Sequence, residues 1–206
     1  MRVPKTGSTS TQAHLIVSKD AADEVVYTWI PFLNINSIHF PTDITSHLNL
    51  ANIISYDKIT EEALAEFKVY GIIRNPVDRF ISRAYHQIYY KADGTSVNED
   101  IPTIEKNNAV ERSLSTIDFT KPDWKPQSHW LTYNGRLINS IFPYERLNDM
   151  VIEMTGTNLP YQHRTEVRLD KTYGDLDPTL IDRIKKIYAD DVIIYEQYNN
   201  LKTPTV

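Results

Sequence analysis

The sequence predicts an α/β fold, a parallel sheet flanked by helices on both faces. Two observations predict it. Short β-branched or apolar runs alternate along the chain with stretches of helical periodicity, the pattern of strands joined by helical crossovers. Two of these segments also carry loop motifs suited to anions, and in parallel sheets ligands bind beyond the carboxyl ends of the strands. At 206 residues the chain reads as one domain, residues 1–206, since domains average about 150 residues. Such a chain buries about 70% of its unfolded surface and needs no disulfide or metal staple.

The elements follow in order. Glu24–Ile30, EVVYTWI, is β-branched and aromatic, hence a strand. Thr60–Phe67 is a helix, with Thr60 as N-cap and acids in the first turn. Lys68–Ile73, KVYGII, is a short run of buried-strand type. Asn75-Pro76 then starts a helix, because proline suits the first helical turn. Its apolar face is Phe80, Ile81, Ala84, Tyr85 and Ile88. A polar stretch around residues 91–120 reads as an excursion from the domain: a lid, a binding loop or a disordered insert. Ile138–Phe142 is strand-like, and LNDMVIEMTG ends a helix at Gly156. Asp177-Pro178 caps a last helix with Leu180, Ile181, Ile184, Ile187 and Tyr188 on its apolar face.

Composition excludes several classes. A net charge of −5 argues against a general nucleic-acid binder. Hydrophobic residues at 41% and charged residues at 24% are globular values, which excludes disordered and collagen-like chains. The absence of cysteine removes disulfide scaffolds, thiolate zinc sites and cysteine nucleophiles, and is compatible with a reducing compartment. No apolar run reaches the ~20 residues of a membrane span, and MRVPKTGSTS has no signal-like apolar core. The expectation is a soluble, cytoplasmic protein. The six histidines are scattered without zinc-like spacing, so no metal is expected.

The first motif opens the chain. Lys5, Thr6, Gly7, Ser8, Thr9 and Ser10 lead into TQAHLIV, a plausible helix. A small-residue loop entering a helix offers backbone N–H groups and the positive end of the dipole to an anion. Gly7 permits close backbone approach, the hydroxyls add donors, and Lys5 adds a mobile charge. A polar, frayed chain end explains the same composition. The loop is not the nucleotide-kinase pattern, in which lysine follows the second glycine; Lys5 precedes Gly7 by two residues.

The second motif, Gly71–Ser82, lies at a strand end and helix start. Arg74 would leave the strand toward the ligand crevice, and Ser82 stands two turns into the helix. An arginine fork and a hydroxyl converging there could hold a phosphate. Taken alone, a capped strand–helix junction with an ion pair between Asp78 and a neighbouring arginine accounts for it.

Together, PKTGSTS and RNPVDRFIS resemble the sulfotransferase family, most closely its carbohydrate and Golgi-type branch with bacterial and phage members. Pro122–Gln127 (PDWKPQ), Tyr144–Leu147 (YERL), LPYQHRT and IKKIYADDVIIYEQY are similar to later segments of that family. The resemblance implies a P-loop-like sheet and 3′-phosphoadenosine 5′-phosphosulfate (PAPS) as donor. It assigns Lys5–Ser10 to the 5′-phosphosulfate, and Arg74 and Ser82 to the 3′-phosphate. One departure stands out: only Met1-Arg2-Val3 precede Pro4, where family members carry a full strand. Either the strand is a stub or the natural chain is longer.

The implied chemistry is in-line sulfuryl transfer to a hydroxyl, of a carbohydrate by the branch resemblance, leaving adenosine 3′,5′-bisphosphate. It depends on positioning and charge stabilisation. Lys5 is the candidate for the leaving phosphate. A base must take the acceptor proton, and histidine suits that role. His47, opening HLNLANII, is the first candidate and His39, in SIHFP, the second; a structural role remains open for each. His14, His86, His129 and His163 receive no catalytic role, and Glu145 reads as scaffold. Trp124 and Trp130 suit either a stacking surface or the core. Two other classes stay open: a phosphate-loop kinase, which the displaced lysine disfavours, and a non-catalytic nucleotide-binding protein of the same fold.

Overall fold

The computed structural model describes residues 68–89, 101–158 and 176–200, together with Ala51, Thr60 and Glu62. The strand expected at Glu24–Ile30 and the helix expected after Ser10 lie outside them. Of the helix expected at Thr60–Phe67, Thr60 and Glu62 are described, Glu62 in helical conformation.

β1 (Tyr70–Ile73) pairs in parallel with β4 (Ser140–Pro143), in the register Tyr70↔Ser140 to Ile73↔Pro143. Alternate side chains of a strand leave opposite faces, and here each face meets helices. Ile72 packs with Met150 and Val151 of α4 (Leu147–Thr155). Ile73 packs with Trp130 and Leu131 of α3 (Ser128–Leu131) and with Ile194 of α6 (Ala189–Asn199). The described sheet is therefore parallel and flanked by helices, as the alternation of segments predicts.

α1 (Pro76–Tyr89) starts where Asn75-Pro76 places it: the Val77 N–H donates to Asn75 Oδ1 at 3.0 Å. Phe80, Ile81, Ala84 and Tyr85 are buried along one stripe and Ile88 packs at its edge. Removing a side chain the size of Phe80 or Ile81 from water contributes about 1.5–3 kcal/mol, so tertiary burial holds this helix. Its partners are α2 (Thr103–Ser115) and α5 (Pro178–Ile187), which add Ala109, Val110, Leu114, Leu180 and Ile184 to one helical core.

Two expectations are corrected. Within the polar excursion around 91–120, residues 103–115 form α2, whose Ala109 and Val110 are buried against α1. Its apolar residues are few and one of them, Ile104, faces solvent, so composition alone reads as a loop. The last helix is in fact two. α5 begins at the Asp177 cap, whose side chain accepts the Thr179 N–H at 2.8 Å, and stops at Tyr188 (φ −111°, ψ 38°). The Tyr188 hydroxyl donates to the Trp124 carbonyl at 2.8 Å, and burial pushes its pKa up to about 12. Ile187, assigned to the apolar face, is the last residue of α5 and is 38% exposed.

Between α3 and β4 a hairpin joins β2 (Thr132–Tyr133) to β3 (Arg136–Leu137). Asn134 and Gly135 turn it with φ of 48° and 73°, the left-handed pair such two-residue turns require. Gly156 ends α4 at φ 72°, again the expected cap. Among the described residues no helix is long and apolar enough to cross a membrane.

At Gly71 two packed side-chain ends leave little room for a Cβ. A Cβ there would stand 2.5 Å from both Ile138 Cδ1 and Leu131 Cδ2, and both partners are buried. Gly71→Ala is expected to destabilise by about 1–3 kcal/mol, the usual range for overpacking. Urea unfolding measures this; an unchanged midpoint would contradict so tight a fit.

Candidate functional site

The site starts from the parallel register. Ile73 and Pro143 are the last paired residues of β1 and β4, so Arg74 and Tyr144 emerge side by side beyond the carboxyl ends of the two strands. The Arg74 guanidinium carbon lies 4.8 Å from the centre of the Tyr144 ring, a stacking arrangement that suits a planar cation. Arg74 is 7% exposed.

Its main chain is held by one side chain. The Arg74 N–H donates to Gln127 Oε1 at 2.9 Å, and Gln127 Nε2 donates back to the Arg74 carbonyl at 2.8 Å. Gln127 is completely buried. It stands just before α3, and its own N–H donates to Asp191 Oδ2 at 2.7 Å, while the Ser128 N–H donates to Asp191 Oδ1 at 2.8 Å. Asp191, in the first turn of α6, thus satisfies the opening N–H groups of α3. Burial pushes its carboxyl up from the ordinary value, against those two N–H donors and the charge of Arg79. Arg79 is itself buried; it donates to the Asp123 carbonyl at 3.2 Å and lies 5.9 Å from the centre of the Trp130 ring.

The rim carries further polar groups. Tyr195 of α6 donates its hydroxyl to Glu145 Oε1 at 3.1 Å. Burial first, then the Glu145 charge, raise the Tyr195 pKa, while Arg74 acts in the opposite sense. Asp78 also raises it, so Arg74, Asp78, Glu145 and Tyr195 share one electrostatic neighbourhood.

Of the residues expected from sequence, Arg74 and Ser82 are described. Ser82 is half-buried on α1, the seventh helical residue, and stands about 9 Å along the axis at ~1.5 Å per residue. Lys5, Thr6, Gly7, Ser8, Thr9, Ser10, His39 and His47 lie outside the described residues, as do His14 and His163. His86 is exposed. His129 lies 3.4 Å by Nε2 from Lys125 Nζ and edge-on to Trp130; burial, then Lys125, lower its pKa. Trp124 and Trp130 are core residues. The helix arginines turn to the PDWKPQ segment: Arg83 pairs with Asp123 at 2.8 Å and lies 5.3 Å from the Trp124 ring centre. Among the described residues no group of three His, Asp or Glu side chains stands together as a metal cluster.

Sequence reasoning gave no site role to Gln127, Asp191, Tyr144 or Tyr195. All four lie in segments that drew notice for other reasons, and only tertiary contact shows what each touches.

A buried, stacked arginine beyond the ends of paired parallel strands marks the candidate site of an α/β protein. A model of the sulfotransferase family matches residues 1–199. The chain belongs to the sulfotransferase family, and its activity class is sulfuryl transfer. No curated protein and no solved structure gives a significant match.

The raised Asp191 carboxyl has a pH consequence. A group with a folded pKa above its unfolded value stabilises fully below the unfolded value, here near 3.8, and loses that contribution as pH rises through the folded one. The stability of the native chain relative to Asp191→Asn should therefore be greatest near pH 4 and shrink as pH rises. Urea midpoints of the two chains across that range measure it; a difference that stays constant to pH 7 would contradict the assignment.

Proposed function

We propose that the chain transfers the sulfuryl group of PAPS to a hydroxyl acceptor of a carbohydrate, and that residues 1–206 form one P-loop-like sulfotransferase domain. The observation that carries the reading is the Arg74 guanidinium at the carboxyl end of β1, in a chain of the sulfotransferase family. The donor has two anionic ends, the 5′-phosphosulfate and the 3′-phosphate. Arg74, with Ser82 on the following helix, is assigned to the 3′-phosphate by a charge-assisted fork. Lys5 and the backbone of Gly7–Ser10 are assigned to the 5′ end.

The acceptor oxygen attacks sulfur in line. The bond between sulfur and the 5′-phosphate oxygen breaks, and adenosine 3′,5′-bisphosphate leaves. Lys5 balances the charge that grows on that oxygen. The acceptor proton passes to a histidine, His47 or His39. No step requires a metal. A phosphate-loop kinase would instead favour ATP with magnesium, and a non-catalytic relative would bind the bisphosphate without turnover.

Calorimetric titration tests the assignment. The chain should bind adenosine 3′,5′-bisphosphate in preference to ATP, without magnesium. Arg74→Ala should weaken the bisphosphate by about 1.5–3 kcal/mol, roughly 10- to 150-fold, and leave adenosine 5′-monophosphate nearly unchanged. Equal losses for the two nucleotides would remove Arg74 from the 3′-phosphate.

A further inference from the structure

Arg74 reaches its place through its main chain, and one buried side chain holds that main chain at two points. We propose that Gln127, itself held by Asp191, is a positioning residue for the donor's 3′-phosphate: it fixes the direction of Arg74 and never touches the ligand. The inference rests on the assignment of Arg74 to that phosphate.

Three observations carry it. First, Gln127 spends its carbonyl oxygen and an amide N–H on the N–H and C=O of one residue, at 2.9 and 2.8 Å. A two-point grip of this kind resists rotation of the residue, which a single hydrogen bond would allow. Second, the Arg74 side chain is seated on Tyr144, which belongs to the turn after the neighbouring strand. A tilt of the Arg74 backbone therefore moves the guanidinium against a fixed ring. Third, the grip is itself anchored. Asp191, 0% exposed, takes the N–H groups of Gln127 and Ser128 at 2.7 and 2.8 Å. A buried amide or carboxylate is tolerated when such partners are present and is costly when they are lost. The chain of contacts thus connects α6 to the strand end through α3. Binding to a fixed fork avoids the entropy of ordering a free arginine.

A residue with a purely structural role would weaken all nucleotides alike, so ligand selectivity decides. The full chain is titrated with adenosine 3′,5′-bisphosphate and with adenosine 5′-monophosphate. Gln127→Met keeps the length and removes both hydrogen bonds. It should weaken the bisphosphate about tenfold, the scale of one or two lost hydrogen bonds, and leave the monophosphate unchanged. Asp191→Asn should shift selectivity in the same direction by less. In an Arg74→Ala background, Gln127→Met should cause no further loss, because the group it positions is gone. Equal losses for both nucleotides, or losses that add in the double variant, would overturn the proposal. If circular dichroism shows Gln127→Met unfolded, Gln127→Glu takes its place; it keeps the acceptor and loses the donor to the Arg74 carbonyl, and retained bisphosphate selectivity there would be equally fatal. The two layers separate cleanly. If Arg74→Ala abolishes selectivity and the Gln127 variants retain it, only this inference fails. If Arg74→Ala retains selectivity, the assignment of Arg74 fails with it.

Discussion

A single buried amide ties the described structure together. Gln127 has no exposure, so its carbonyl and amino groups must find partners inside the protein. They find them on Arg74, fifty-three residues away in sequence. Its backbone N–H finds Asp191, sixty-four residues further on. The end of β1, the start of α3 and the start of α6 are therefore held by one set of hydrogen bonds. Such a network specifies a unique arrangement only when each member is satisfied. Substituting one member loosens three elements together.

The same junction explains why a charged side chain stands at the strand end. Parallel pairing with the register Ile73↔Pro143 delivers Arg74 and Tyr144 to adjacent positions, and the ring takes one face of the guanidinium. Close by, Asp78 and Glu145 act on the Tyr195 hydroxyl in the sense opposite to Arg74. The arginines further along α1 are absorbed by structure: Arg79 reaches the Asp123 carbonyl and Arg83 the Asp123 carboxylate. Position relative to the strand end separates Arg74 from its helical neighbours.

Local signals were legible in the sequence, and long-range ones were not. Asn75-Pro76, Gly156 and Asp177-Pro178 act through the backbone within a few residues, so their chemistry alone places the ends of α1, α4 and α5. The stripe of Phe80, Ile81, Ala84 and Tyr85 is a periodicity, readable without a partner. α2 is different: Ala109, Val110 and Leu114 form too thin an apolar face to mark a helix, and tertiary burial against α1 decides its state. Tyr188 breaks a continuous helical pattern because its ring and hydroxyl are drawn to Phe80 and Trp124. In the candidate site, the place of Arg74 just past a strand end was legible from its motif. Gln127 and Asp191 were not, since a glutamine in a loop and an aspartate in a helix's first turn look like ordinary surface residues until the fold buries them.

In the proposed reaction the Arg74 corner and the opening loop grip opposite ends of one nucleotide. A crystal structure of the chain with adenosine 3′,5′-bisphosphate shows whether they do. The expected structure holds one nucleotide with its 3′-phosphate on the Arg74 guanidinium and the Ser82 hydroxyl, and its 5′-phosphate on Lys5 and the backbone of Gly7–Ser10. A nucleotide bound with both phosphates remote from Arg74, or an opening loop too distant to share it, would rule out a shared grip.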